Sequence, residues 1–322
     1  MQALVFREKG KPLYFGEWPD PEPAAGEVVV SLEAAALNHR DVFITQGLYP
    51  GIETPIILGS DGAGRLEGRE VVLNPSIGWG PDPEIQAKSY RILGLPDPGT
   101  FAQKVALPAS QVYDKPAHLS WEEAAALPLA GLTAYRALFT KGQVEPGQKV
   151  LISGVGGGVA LFAFQFALAA GAEVYVTSGS EEKLARAREM GAAGEVNYKN
   201  PDWGKELKSK AGAFQLVLDG AGGEGFTTLL KLCAPAARLV TYGGTQGAVP
   251  KFMPQHIFWK QLSVLGTSMG NDGEFADMLK LVADKQIRPE VDSTYPLEQG
   301  AAAFERMDQG LQFGKIILQI PT

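Results

Sequence analysis

The residues best suited to chemistry stand in a run of glycines. Gly154-Val155-Gly156-Gly157-Gly158-Val159 follows the strand-like run Val150-Leu151-Ile152-Ser153 and opens a long apolar stretch from Val159 to Ala172. A tight turn from strand to helix needs unusual backbone angles, and a pyrophosphate reaches bare amides at a helix N-terminus only where no Cβ intervenes. A second apolar strand, Glu173–Thr177, follows about twenty residues after the glycines, which is the layout of a dinucleotide-binding βαβ unit. That layout puts Gly154, Gly156, Gly157, Gly158 and Val159 at the phosphates. The plainer alternative is that the glycines only permit close helix–sheet packing.

The end of that second strand selects the dinucleotide. A site for NAD usually carries Asp or Glu there, accepting from the ribose 2′-hydroxyl. Here the residues are Thr177-Ser178-Gly179-Ser180, with Lys183 one turn further. A carboxylate would repel a 2′-phosphate, whereas small hydroxyls and a lysine bind it through charge-assisted hydrogen bonds. Glu181 and Glu182 belong to the first turn of the following helix and serve its dipole. The pattern favours NADP(H), with Ser178, Gly179 and Lys183 as its binding residues; the competing role for Lys183 is a solvated helix lysine.

The elements that must position these residues are readable around them. From Lys149 the sequence alternates strand and helix: Val150–Ser153, Gly158–Ala170, Glu173–Thr177, Glu181–Met190, Glu195–Asn197, Trp203–Ala211, Phe214–Asp219, Gly225–Leu232 and Ala237–Thr241. Such alternation implies a parallel sheet covered by helices on both faces. The first 120 residues are β-rich, with strands expected at Val28–Ala34, Glu70–Leu73 and Phe101–Leu107 and a long Pro/Gly-rich loop over 74–99. Ser120 with Glu123 forms a capping box at a helix start; Pro128 then divides the apolar stretch, and Gly131–Thr140 continues as a second helix. After about Gly266 come helices near Asp272–Asp284 and Leu297–Gly310 and a final strand Lys315–Ile320.

Bulk properties narrow the function class. The chain has 322 residues, 45% of them hydrophobic and 20% charged, enough for about two domains. A net charge of −7 argues against a nucleic-acid or anionic-membrane surface. The longest apolar segment, Val159–Ala172, is too short for a bilayer, which needs about 20 residues. The N-terminus is too charged for a signal peptide, and the single cysteine, Cys233, permits neither an internal disulfide nor a multi-cysteine zinc site. The cytoplasm is the expected compartment.

Together with the glycine turn, the segments Leu37-Asn38-His39-Arg40-Asp41, Gly59-Ser60-Asp61-Gly62-Ala63-Gly64, Gly131-Leu132-Thr133-Ala134-Tyr135 and Phe313-Gly314-Lys315 resemble the medium-chain dehydrogenase/reductase superfamily over essentially the whole length. The resemblance implies an α/β chain in which a Rossmann doubly wound parallel sheet is inserted in a β-rich GroES-like catalytic domain. The expected division is 1–120 plus 267–322 for the catalytic domain and 121–266 for the NADP-binding domain. Zinc-dependent members carry Cys where this chain has Asn38, His-Glu where it has Ser60-Asp61, and a third ligand near Leu129–Ala130, which is apolar here. The loop 74–99, where relatives bind a structural zinc through four cysteines, contains none. No zinc is therefore expected, although His39, Asp41 and Asp61 leave room for an unusual metal site.

In similarity to zinc-free quinone oxidoreductases, Lys183 and Tyr198 stand at the fifteen-residue spacing of the lysine and tyrosine that hold the 2′-phosphate. The same resemblance puts Thr133 beside the nicotinamide and Phe313, Gly314 and Lys315 over the cofactor, with Gly243 completing the cofactor set; helix packing and strand entry are the plainer roles for Thr133 and for 313–315. Without zinc, a conjugated carbonyl is the easier hydride acceptor, provided its developing oxyanion meets a donor. The candidate donors are Asn38, Arg40 and Tyr49, Arg40 having a salt bridge to Asp41 or another nearby carboxylate as its other role. The leading expectation is an NADPH-dependent reductase of a quinone or α,β-unsaturated carbonyl; the resemblance further implies a homodimer joined at the edge of the nucleotide-binding sheet, near Leu262–Leu265. An NADP-dependent alcohol dehydrogenase or aldehyde reductase is the first alternative. A low-turnover NADPH-binding sensor or RNA-binding protein is the second.

Overall fold

The alternation from Lys149 onward folds into a six-stranded parallel sheet. Numbering its strands in chain order, Lys149–Ile152, Glu173–Ser178, Gly194–Asn197, Phe214–Asp219, Cys233–Thr241 and Ser263–Gly266 lie in the order 3-2-1-4-5-6. This is the doubly wound order, and its switch point falls between Lys149–Ile152 and Phe214–Asp219, where the chain turns opposite ways. The central strands are buried on both faces, which is why Val150-Leu151-Ile152 reads as an unbroken apolar run. The helix Gly158–Ala169 buries Ala160–Phe164, Phe166 and Ala167, so it is apolar nearly all round, as a helix packed on a sheet must be.

The computed structural model describes residues 1–321. The chain forms two compact units: Met1–Leu132 with the chain from Gly270 onward, and Thr133–Met269, which contains the parallel sheet. The first unit is built on a seven-stranded mixed sheet. Val112–Asp114, Arg69–Leu73, Asp61–Leu66, Glu27–Ala36, Lys315–Gln319 and Val291–Pro296 follow one another across it, and Lys104–Pro108 also pairs with Glu27–Ala36. A second sheet joins Tyr14–Glu17, Gln2–Phe6 and Ile56–Ile57. Their shared core includes Phe6, Leu37, Phe101, Leu107, Phe304 and Leu318.

Register in the large sheet decides what meets at its end. Ala36 pairs with Asp61 on one side and with Ile317 on the other. The start of Asp61–Leu66, the end of Glu27–Ala36 and the start of Lys315–Gln319 therefore lie side by side. Gly64 allows this close pairing: a Cβ there would stand 2.0 Å from the Ser31 carbonyl oxygen, beside a register shift at Leu32/Ala34.

Several expected boundaries move. The second helix begins at Pro128 rather than Gly131, because proline suits the first helical position, and beyond Tyr135 it widens into a π-helical turn over Arg136–Lys141. Trp121–Ala126 packs on Glu27–Ala36 and Asp61–Leu66 and so sits in the first unit, not with the nucleotide sheet. The 74–99 loop contains a short strand pair, Ser76–Ile77 with Arg91–Ile92. Val291–Pro296, outside the strands and helices expected from the sequence, pairs in parallel with the last strand. Among the described residues, no helix is long and apolar enough to cross a membrane.

Candidate functional site

In the second unit, the glycine turn is pinned to the neighbouring strand. Gly154 N donates to Thr177 Oγ1 at 3.1 Å and Val155 N to Thr177 O at 2.8 Å. Gly154 and Gly156 have φ of +69° and +126°, which side-chain-bearing residues rarely adopt. Gly157 is the N-cap of Gly158–Ala169, and a Cβ added to it would meet nothing within 4 Å. Leu161 N makes the first intrahelical bond, to Gly157 O, so the amides of Gly158, Val159 and Ala160 precede it and point out of the helix end. Open space facing bare amides fits a phosphate or pyrophosphate group.

The groups expected at the 2′-phosphate gather beside this turn. Ser180 caps the helix Glu181–Glu189 by accepting from Lys183 N. The Lys183 side chain folds back over the turn, so that a Cβ on Gly156 would lie 2.8 Å from its Cδ and 3.5 Å from its Nζ. The Tyr198 hydroxyl would lie 2.8 Å from a Cβ on Gly179. Ser178 is 4% exposed, and its Oγ accepts from Ser180 N. Glu181 is held by Asn197 Nδ2 at 2.5 Å. Gly243 keeps two strand ends together, since a Cβ would come within 2.7 Å of Gly220 O. Thr133 is buried, with its hydroxyl 3.9 Å from Met269 Sδ.

Two residues at the switch point escaped the sequence reading. Ser153 Oγ donates to Asp219 Oδ1 at 2.5 Å, and Gly222 N donates to Asp219 Oδ2 at 2.8 Å. Asp219 is 1% exposed. The signal was available: a carboxylate ending a strand and followed by Gly220-Ala221-Gly222-Gly223.

In the first unit, the sheet register gathers Asn38, Asp61 and Lys315. The Lys315 ammonium donates to Asp61 Oδ2 at 2.8 Å, to Asn38 Oδ1 at 2.7 Å and to Leu37 O at 2.7 Å. Asn38 Nδ2 donates to Asp61 Oδ2 at 2.9 Å, and Leu129 N to Asp61 Oδ1 at 2.8 Å. Asp61 is fully buried and Lys315 is 3% exposed, so this ion pair lies in the interior. The expectation that Lys315 touches the cofactor needs revision as regards its side chain, whose three donors are all engaged. Phe313 is buried with its amide on Asp292, and Gly314 sits at φ +113°, where a Cβ would lie 2.3 Å from Glu290 O.

Arg40 and Tyr49 form a neighbouring group. Arg40 Nη1 donates to Ser60 Oγ at 2.6 Å and Leu93 O at 3.0 Å, and Nη2 to Leu95 O at 3.4 Å. Its guanidinium lies 5.2 Å from the Tyr49 ring centre. Neither the expected oxyanion role nor a salt bridge to Asp41 describes these bonds; Arg40 binds the 74–99 loop to the helix His39–Thr45. Asp41 Oδ2 accepts from Asn38 N at 2.8 Å, while Oδ1 is buried without a hydrogen-bond partner. Burial, with a smaller contribution from Asp61, pushes its carboxyl up to about 6, against the opposing effects of Arg40, the Asn38 amide and Lys315.

This donor set does not fit catalytic zinc, which wants three His, Cys or carboxylate ligands and an open position. Asn38 and Leu129 offer no such ligand, and Asp61 has both oxygens in hydrogen bonds. Among the described residues, no three His, Cys, Asp or Glu side chains group closely enough to hold a metal ion.

Comparison with known proteins agrees with the fold. Residues 24–117 match the alcohol dehydrogenase GroES-like domain family, and residues 158–284 match the zinc-binding dehydrogenase family. The chain is similar to a zinc-type alcohol dehydrogenase-like protein, YogA, of Leptosphaeria maculans, at 37% identity over 96% of this chain and 95% of that one. The crystal structure of an NAD-dependent alcohol dehydrogenase superposes with a TM-score of 0.94 at 37% identity, covering 100% of both chains. The quinone oxidoreductase of Thermus thermophilus, solved also with NADPH, superposes with a TM-score of 0.82 at 30% identity, covering 99% of this chain and 100% of that one. With a doubly wound sheet, a glycine cradle and near-full-length relatives in agreement, the chain belongs to the medium-chain dehydrogenase/reductase superfamily of oxidoreductases.

Proposed function

We propose that the protein is a zinc-independent, NADPH-dependent reductase of quinones or α,β-unsaturated carbonyls. The observation that carries the reading is the commitment of Asp61 to Lys315, Asn38 and Leu129, next to the positions Asn38, Ser60 and Leu129–Ala130 at which the resemblance places the ligands of zinc-dependent members. Such a site has no Lewis acid of its own with which to activate a simple alcohol, so the acceptor must bring its own activation through conjugation. A bound NADPH supplies the hydride. The glycine cradle and the amides of Gly158, Val159 and Ala160 would hold its pyrophosphate, and Lys183 with Tyr198 would hold its 2′-phosphate. Asn38 would donate a hydrogen bond to the acceptor's carbonyl oxygen as that oxygen takes up the electron pair, and water would supply the proton. We further propose that two copies associate through the strand Ser263–Gly266.

The second reading, an aldehyde reductase or alcohol dehydrogenase, is favoured by the descriptions of the two 37%-identical relatives, one of them NAD-dependent. One experiment separates the two. Oxidation of NADPH and of NADH is followed with a quinone, an enone and an aldehyde, and oxidation of a primary alcohol with NADP, all with and without a chelator. The expected result is NADPH consumption with quinone or enone, unaffected by chelation. Lys183→Ala then weakens NADPH binding by about tenfold to a hundredfold and leaves NADH binding unchanged. Loss of activity on chelation, turnover confined to alcohols and aldehydes, or a preference for NADH rejects the reading.

A further inference from the structure

We infer that Lys315 and Asp61 are positioning residues: their buried ion pair fixes and polarises the Asn38 carboxamide so that its outer N–H meets the substrate's oxyanion. The inference rests on the reductase reading and extends it to residues far apart in sequence.

The bonding identifies which end of the amide is which. Lysine has only donors, so the Asn38 atom 2.7 Å from its Nζ must be the oxygen. The ionised Asp61 carboxylate only accepts, so the atom 2.9 Å from its Oδ2 must be the nitrogen. Both ends of the amide are thereby set, and the group cannot rotate without losing two charge-assisted hydrogen bonds in the interior. One hydrogen of Nδ2 goes to Asp61; the other is directed by the same plane. Among the three side chains of the cluster Asn38, at 7% exposure, is the most open, with Asp61 at 0% and Lys315 at 3%. Of the three, it is the side chain a ligand reaches first.

The charges also act through that amide. A cation bonded to its oxygen draws electron density from the nitrogen and strengthens the N–H as a donor. All three ammonium hydrogens are occupied, so Lys315 acts on substrate only through Asn38. A fixed donor of this kind costs no reorganisation when the oxyanion forms, which is where such groups lower barriers most. The ion pair thus acts through Asn38 without performing Lewis-acid chemistry.

The test uses Lys315→Met, Asp61→Asn and the double variant in the full-length protein. Three quantities are read: thermal stability, kcat and KM for NADPH reduction of an enone, and affinity for 4-nitrophenolate in the presence of NADP, a turnover-independent probe of the oxyanion donor. Lys315→Met alone leaves a buried carboxylate uncompensated and is expected to melt earlier; the double variant, which removes both charges, recovers most of the loss. Its kcat nonetheless falls by about a hundredfold with KM for NADPH nearly unchanged, and its phenolate affinity falls by about tenfold. A double variant that regains stability, turnover and phenolate affinity together reduces the pair to a structural role and overturns the inference. So does a wild-type protein that binds no phenolate. If wild type binds phenolate in a Lys315-dependent way yet reduces no conjugated acceptor, the inference holds and the reductase reading falls.

Discussion

Asp41 shows how a single buried group sets a pH dependence. Its carboxyl, raised to about 6 chiefly by burial, binds a proton more tightly in the folded chain than in the unfolded one, where 3.8 is ordinary. Stability from this group is therefore greatest below the unfolded value, declines as pH rises from about 4 to about 6, and stays lowered above that. A shift of about two units corresponds to about 3 kcal/mol. Asp41→Asn has no charge to bury and keeps an acceptor for Asn38 N, so its stability relative to wild type should improve between pH 4 and 6 and level off above. Denaturant melts at pH 4.5 and 7.5 check this; an Asp41→Asn difference that does not change with pH sinks it. The residues around Asp41 were only partly legible in the sequence. Asn38 was legible because it sits inside a short motif. Lys315 and Asp61 are 254 positions apart, and only the register of three strands makes them partners.

At the scale of elements, the glycine turn separates two demands that sequence alone merges. Gly156 is a backbone requirement: at φ +126°, with Lys183 Cδ 2.8 Å from any added Cβ, Gly156→Ala should destabilise the fold by about 1–3 kcal/mol. Gly157 is a ligand requirement. Its φ and ψ of −77° and 153° suit any residue, and a methyl group there meets no protein atom within 4 Å. Gly157→Ala should leave the melting temperature unchanged and weaken NADPH and NADH alike, because the methyl fills the approach of the pyrophosphate. Calorimetry with both cofactors beside thermal melts decides it; a Gly157→Ala protein that melts early, or binds normally, contradicts the assignment. The strand–helix alternation behind this turn was legible because buried parallel strands carry unbroken apolar runs and the helices between them cap visibly, as at Ser180. The first unit was less so. Val291–Pro296 mixes polar and apolar residues, and it forms a strand only because Lys315–Gln319 offers it a partner.

At the scale of the whole molecule, the nucleotide sheet ends in an open edge. Ser263–Gly266 pairs on one side with Cys233–Thr241 and, among the described residues, with no strand on the other. Val264 is 36% exposed, and the segment before the strand carries Phe252, Met253, Phe258 and a 78%-exposed Trp259. An open edge flanked by exposed aromatic side chains invites pairing with another chain, and a two-fold axis lets the same edge serve both partners. Edge-to-edge association of two copies would satisfy the free backbone groups and cover that apolar surface. Val264→Asp brings two carboxylates together near the axis while altering only an exposed side chain. Sedimentation at micromolar concentration should show wild type as a dimer and Val264→Asp as a monomer with its cofactor affinity intact. A monomeric wild type, or an undisturbed Val264→Asp dimer, would show that this edge is not where the copies meet.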